Sequence, residues 1–159
     1  MMKILLGAVL IAAALPVQAQ LIEQKSLSAA MAMTIAETAL ESCKAAGFKV
    51  SVHVLGREGE VLVALRGDGS SPHTFENSLR KAYTARTFKQ PSGEFAQRVR
   101  DNPTIGQVHL ANIVATQGGL PIQVGDDVIG GVGVSGAPGG DKDEICAKAG
   151  IDKVSAQLK

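Results

Sequence analysis

A glycine-rich segment near the carboxyl end does most to restrict the fold of this chain. Residues 130–136 read GGVGVSG, and Gly131, Gly133 and Gly136 match the G-x-G-x-x-G pattern of dinucleotide-binding turns. In that fold the pattern opens a helix inside a strand–helix–strand unit, and an acidic residue follows about 20 positions later. Only 23 residues follow Gly136, which is enough for one helix and no second strand. The context therefore argues against dinucleotide binding.

Gly130, Gly131 and Gly133 suit a strand whose backbone another group approaches closely. Their neighbours are Val and Ile, and glycine weakens such a strand unless something must pack against it. That group is a packed helix, a neighbouring subunit or a flat ligand, and the sequence leaves the three alternatives open.

Turn residues predict a largely antiparallel sheet. Residues 57–60, with Gly59, predict one tight turn, and residues 125–127 predict a second tight turn. Each turn joins two neighbouring predicted strands, so two hairpins are expected. We predict one α+β domain with a mainly antiparallel five-stranded sheet and the N- and C-terminal helices packed on one face. The predicted strands are 48–55, 61–65, 113–116, 120–124 and 128–135, and the predicted helices are 28–46, 71–88, 93–100 and 141–158.

The first 19 residues have the pattern of a signal peptide. Lys3 precedes an apolar run at 4–15, and Val17-Gln18-Ala19 places small residues where a signal peptidase reads. A run of 12 apolar residues is too short for a membrane core that needs about 20. We predict cleavage after Ala19, a domain over residues 20–159, a periplasmic or secreted location and no stable membrane insertion.

Charge and composition narrow the class of partner. Beyond residue 19 the chain has 15 basic and 15 acidic residues without a basic cluster, so we expect no nucleic acid partner. One Tyr, four Phe and no Trp predict an aliphatic core.

Cys43 and Cys146 allow two interpretations. In an exported protein they can form a disulfide, and both lie on predicted helices that can pack side by side. The alternative is two separate buried thiols. We predict the bridge, which would close a loop of about 100 residues and contribute about 4–5 kcal/mol in the chain-entropy model.

Several segments together resemble the GlcG/HbpS family of haem-binding proteins. The resemblance implies a profilin-like α+β domain that often assembles into oligomers. Some members are exported and bind haem, whereas others are linked to glycolate metabolism or to corrinoid-modifying enzymes. The segments that carry the resemblance are 118–122, 128–136 and 143–147 near the carboxyl end, and 30–39, 50–52, 63–68, 78–88 and 91–92 upstream.

Haem iron takes a His, Met, Cys or Tyr ligand, and this chain has three histidines. His73 follows Pro72 in the first turn of a predicted helix, where the positive helix end favours the neutral imidazole that binds iron. We predict His73 as the iron ligand; the alternative is an ordinary exposed histidine. His53, in a strand, and His109, in an irregular stretch, fit less well. Arg80, Lys81 and Arg86 are candidate partners for the propionates, and Arg80 and Arg86 are our predicted cofactor contacts; the alternative is a solvated helix face.

No acid–base pair or nucleophile arrangement in the sequence demands catalysis. We expect an exported, non-enzymatic haem-binding protein that acts as a carrier, buffer or sensor accessory, with haem as cofactor, in a homo-oligomer. The alternatives are a small-molecule-binding enzyme or accessory protein of the same fold, linked to glycolate or corrinoids and not using haem, and a purely oligomeric structural module.

Overall fold

The computed structural model describes residues 20–159, so the signal peptide predicted at 1–19 lies outside the described residues. In this part of the chain, no helix is long and apolar enough to cross a membrane. The helices are α1 (Ala29–Ala45), α2 (Pro72–Phe88), α3 (Ser92–Asp101) and α4 (Gly140–Val154), with short 3-10 turns at Gly106–His109 and Ser155–Gln157. The strands are β1 (Ser51–Leu55), β2 (Val61–Arg66), β3 (Gly119–Val124) and β4 (Asp127–Ser135).

The strands form one antiparallel sheet in the order β2-β1-β4-β3. Tight turns join β1 to β2 and β3 to β4, as the turn residues predicted, with Gly59 and Gly125 both at positive φ. In the middle of β1, His53 lies opposite Ala64 of β2 and Gly133 of β4. The predicted antiparallel α+β architecture is therefore confirmed.

The predicted number of strands was wrong, because the sheet in residues 20–159 has four strands and not five. The expected strand at 113–116 is irregular chain beside α2. The Val114 N–H donates to Oγ1 of Thr84 at 2.9 Å, and the Thr84 hydroxyl is 3.3 Å from the Val114 carbonyl oxygen. A side chain on α2 thus satisfies backbone groups that a neighbouring strand would otherwise pair.

Helices α1 and α4 pack together on one face of the sheet, as predicted. Ser28 caps α1 by accepting a hydrogen bond from the Met31 N–H, and the apolar stripe of α1 faces Val52 and Val132 in one aliphatic core. Cys43 and Cys146 form a disulfide between the two helices, with their Cα atoms 5.5 Å apart. The bridge agrees with the expected side-by-side packing of the terminal helices.

Helix α2 covers the opposite face, and it is the group that approaches the strand glycines. A Cβ on Gly131 would lie 2.6 Å from the Ala82 carbonyl oxygen, and one on Gly133 would lie 2.5 Å from the Ala82 nitrogen and overlap the Ser78 carbonyl. Of the three alternatives for these two glycines, the structure selects the packed helix. The missing side chains at Gly131 and Gly133 let the backbone of α2 pack directly against β4.

Candidate functional site

Two different sides of α2 carry side chains that could meet a ligand. Residues four apart line the same side of a helix. His73, Asn77 and Lys81 therefore share one side, while Phe75, Leu79 and Tyr83 share another. Ser78 and Ala82 lie between these two rows and face the sheet.

The first side of α2 borders a polar cleft of about 470 Å³ between the starts of α2 and α4. The imidazole of His73 stands at the cleft, in the first turn of α2, and is exposed. The remaining lining comes from α3, the chain before β3 and the glycine-rich loop before α4. Its polar members include Asn77, Lys81, Arg100, Thr116, Gln117 and Asp143.

A buried ion pair forms part of the lining of this polar cleft. Lys81 and Asp143 are 3 % and 2 % exposed, and Nζ lies 2.7 Å from Oδ2. The Lys81 ammonium also donates to the Val134 carbonyl at 3.1 Å, and the other oxygen of Asp143 accepts from the Ala137 N–H at 3.0 Å. Burial raises the pKa of the Asp143 carboxyl, and this effect outweighs the opposing pull of Lys81 and of the Ala137 N–H. The solvated helix face considered for Lys81 is therefore wrong.

The second side of α2 forms an exposed apolar surface together with β2. We call it the α2–β2 face, and it consists of Val61, Ala64, Phe75, Leu79 and Tyr83. The strand register places Ala64 beside His53 and Val61 beside Leu55, and cross-strand partners share one face of a sheet.

Helix α2 does not cover this part of the sheet. Val61 is 50 % and Phe75 is 37 % exposed, and Ala64 is exposed as well. The Tyr83 ring packs against Gly59 of the β1–β2 turn, which closes one end of the face.

His53 lies beneath the α2–β2 face and is 2 % exposed. Its Nδ1 is 2.8 Å from the Ser78 hydroxyl oxygen, and its ring meets the Phe75 ring edge-on with centroids 4.5 Å apart. Burial lowers the pKa of His53 to about 4, so the imidazole is neutral near pH 7. Strand alternation had already separated His53 from Val52 and Val54, but only the packing of α2 shows that it is covered.

The hydrogen bonds of Ser78 define the tautomer of His53. The Ser78 hydroxyl lies 2.9 Å from the Phe75 carbonyl oxygen, which can only accept a hydrogen bond. Because Ser78 has one hydroxyl proton, both of its bonds form together only if the Nδ1–H of His53 donates to Ser78. The Nε2 nitrogen then carries a free lone pair.

The residues predicted to hold the cofactor lie in different places. Arg80 is on the same side of α2 as His73, two turns further on, where it pairs with Glu76 at 2.5 Å. Arg86 is 13 residues from His73, about 20 Å along the helix axis. It lines a separate depression of about 220 Å³ with Arg57 and Tyr83, at the end of the α2–β2 face. The structure therefore does not bring His73 and Arg86 into one site. His109 is exposed in its 3-10 turn.

These features define a class of protein: a small α+β domain with imidazole groups on two sides of the helix that covers one face of its sheet. Residues 27–152 match the model for haem-degrading HbpS-like proteins. The chain belongs to this HbpS-like family, which confirms the resemblance noted in the sequence.

Relatives of known structure share the fold over most of their length. A double mutant of Streptomyces reticuli HbpS is 37 % identical and has a TM-score of 0.79, and the match covers 89 % of this chain and 97 % of that one. The crystallised complex of PduOC with haem is 25 % identical with a TM-score of 0.73, covering 80 % of this chain and 94 % of the other. An uncharacterized 15.0 kDa protein of Citrobacter freundii, from the dhaT-dhaS intergenic region, is 33 % identical over 77 % of this chain and 84 % of its own length.

Proposed function

We propose that this chain is an exported haem-binding protein. The observation that carries the proposal is the match of residues 27–152 to the haem-degrading HbpS-like family. The haem complex of the related PduOC adds support, because that structure shares the fold at 25 % identity.

The described residues include the groups that haem requires. Haem needs an axial ligand for its iron, apolar contacts for its ring and cations for its two propionates. His53 and His73 offer imidazoles, the α2–β2 face offers apolar surface, and Arg80 and Arg86 offer guanidinium groups. When bound, haem would supply an iron centre able to change its redox state and its axial ligands.

A hemin titration tests the proposal directly. We expect a saturable Soret band with the purified domain over residues 20–159, and the absence of a saturable band would overturn haem binding. The same titration of His73→Ala, Arg80→Gln and Arg86→Gln tests the cofactor contacts predicted from the sequence. A residue whose variant keeps the wild-type spectrum and affinity is removed from that set.

Haem degradation is the second candidate activity, since the family is described by it. The preformed hemin complex, given ascorbate in air, separates the two roles. A stable Soret band indicates carriage or buffering, whereas loss of the band with release of iron indicates degradation. Titration with cobalamin in place of hemin examines the corrinoid-linked alternative.

Export and assembly are parts of the same proposal with their own tests. We propose cleavage after Ala19, so the mass of the protein recovered from outside the cytoplasm should match a chain that begins at Gln20. We also propose a homo-oligomer. The exposed apolar side chains of Leu110 and Ile145 support it, and sedimentation analysis of the mature chain measures it.

A further inference from the structure

We propose that haem lies on the α2–β2 face, with its iron bound by Nε2 of His53 and its propionates paired with Arg86. This inference rests on the proposed haem-binding function and names the site. It differs from the assignment of His73, which borders the polar cleft on the other side of α2.

His53 has the surroundings of a metal-binding histidine. A histidine that binds a metal through one nitrogen usually donates its other N–H to a fixed acceptor, which orients the ring. The Ser78 hydroxyl is such an acceptor for Nδ1 at 2.8 Å. Within residues 20–159, Nε2 has no hydrogen-bond partner and is not among the fully buried atoms that lack one. It therefore keeps contact with the surface, and a turn of the Phe75 side chain, itself 37 % exposed, would uncover it.

The surroundings of His53 support the same assignment, because its ring is 2 % exposed and meets the Phe75 ring edge-on beneath the α2–β2 face. His73, in contrast, is exposed among polar groups of the cleft.

Arg86 supplies an unsatisfied cationic group at a suitable place. Its Nε is a buried donor without a hydrogen-bond partner among the described residues, which calls for an acceptor that a ligand could provide. Gly131 and Gly133 are the β4 partners of Leu55 and His53, and the Arg86 Cβ packs where a Gly131 side chain would begin. Arg86 thus starts about 7 Å along the strands from His53. On the β2 side of β1, next to His53, the apolar α2–β2 face provides contact for a flat ring.

Hemin titrations of four variants test the site. We expect His53→Ala to lose the imidazole-bound spectrum, to bind hemin at least about tenfold more weakly, and to regain the spectrum with added imidazole. Ala64→Glu puts a charged side chain on the exposed face without touching the core, and we expect a similar loss; Ala111→Glu, on an exposed loop, is its matched control. His73→Ala should bind like the wild type.

Iron-free protoporphyrin IX separates the iron ligand from the surface that holds the ring. We expect His53→Ala to bind this porphyrin like the wild type, whereas Ala64→Glu and Arg86→Gln bind it more weakly. The proposed site is overturned if Ala64→Glu binds hemin with wild-type affinity, or if His53→Ala folds and keeps the wild-type hemin spectrum. Either result leaves the proposed haem binding itself intact. If His53→Ala does not fold, the hemin affinity of Ala64→Glu alone tests the site. A wild-type chain that binds no hemin overturns the proposed function itself.

Discussion

Lys81 and Asp143 join two helices that lie on opposite faces of the sheet. Lys81 belongs to α2 and Asp143 to the first turn of α4, and their ion pair of 2.7 Å passes the end of β4, where Lys81 also contacts the Val134 carbonyl. Both side chains are almost fully buried. The pair therefore holds the lining of the polar cleft in place. It also connects α2, the sheet and α4, which are the three layers of the domain.

Removing one partner of this pair should destabilise the fold strongly. Lys81→Met leaves a buried carboxylate without its partner, and Asp143→Leu leaves a buried ammonium, so we expect each to lower the free energy of unfolding by about 3–5 kcal/mol. The double variant should be more stable than either single one, because it buries no unpaired charge. Urea denaturation measures all three. Lys148→Ala, which breaks an exposed pair with Asp152, is the control and should cost less than about 1 kcal/mol. Wild-type stability of either buried single variant would contradict this role.

Features encoded by neighbouring residues could be predicted from the sequence. Gly59 and the Gly125 turn specified two hairpins, and a stripe of apolar residues with period four specified α1. The expected packing of the terminal helices, together with the predicted export, led to the prediction of the disulfide. The hairpins and α1 depend on local spacing, and a chain with two cysteines allows only one disulfide pairing.

Features that depend on distant partners could not be predicted in the same way. Lys81 looks like a surface lysine until Asp143, 62 residues later, is placed beside it. Residues 113–116 have the composition of a strand, yet Thr84 on α2 satisfies their backbone. His53 alternates with valines like any polar strand residue, and only the position of α2 reveals it as a buried, neutral group.

The close approach of α2 to β4 should tolerate no side chain at Gly133. Gly133→Ala would place a methyl group against the backbone of Ser78 and Ala82, so α2 would have to move. We expect a loss of about 2 kcal/mol or more in the free energy of unfolding. Gly106→Ala is the matched control, because a Cβ there meets nothing within 4 Å, and it should be nearly neutral. Equal stability of the two variants in thermal or urea unfolding would count against this packing.

The disulfide should contribute substantially to stability. Cys43 and Cys146 are 103 positions apart, and removing the bridge relaxes the unfolded chain. We expect Cys43→Ala/Cys146→Ala to lose about 2–5 kcal/mol of unfolding free energy. Alkylation of the denatured wild-type chain, followed by mass measurement, should add no label unless a reductant is present. Labelling at both positions without reductant would restore the interpretation of two separate thiols.

Stability should fall in mildly acidic solution because of His53. Its folded-state pKa of about 4 is below the ordinary value of 6.5, so the unfolded chain takes up a proton that the folded chain refuses. The free energy of unfolding therefore rises with pH in this window; the contribution of His53 is complete above about pH 6.5 and is lost as the pH falls toward 4. A pKa shift of this size corresponds to about 3 kcal/mol of unfolding free energy.

The difference between wild type and His53→Gln isolates this contribution. The raised pKa of Asp143 acts in the opposite direction, lowering stability as the pH rises, but both chains contain Asp143 and its effect cancels in the difference. We expect the wild-type unfolding free energy to drop more steeply than that of the variant between pH 6.5 and pH 4. Parallel profiles in urea titrations across this range would mean that His53 is solvated in the folded state.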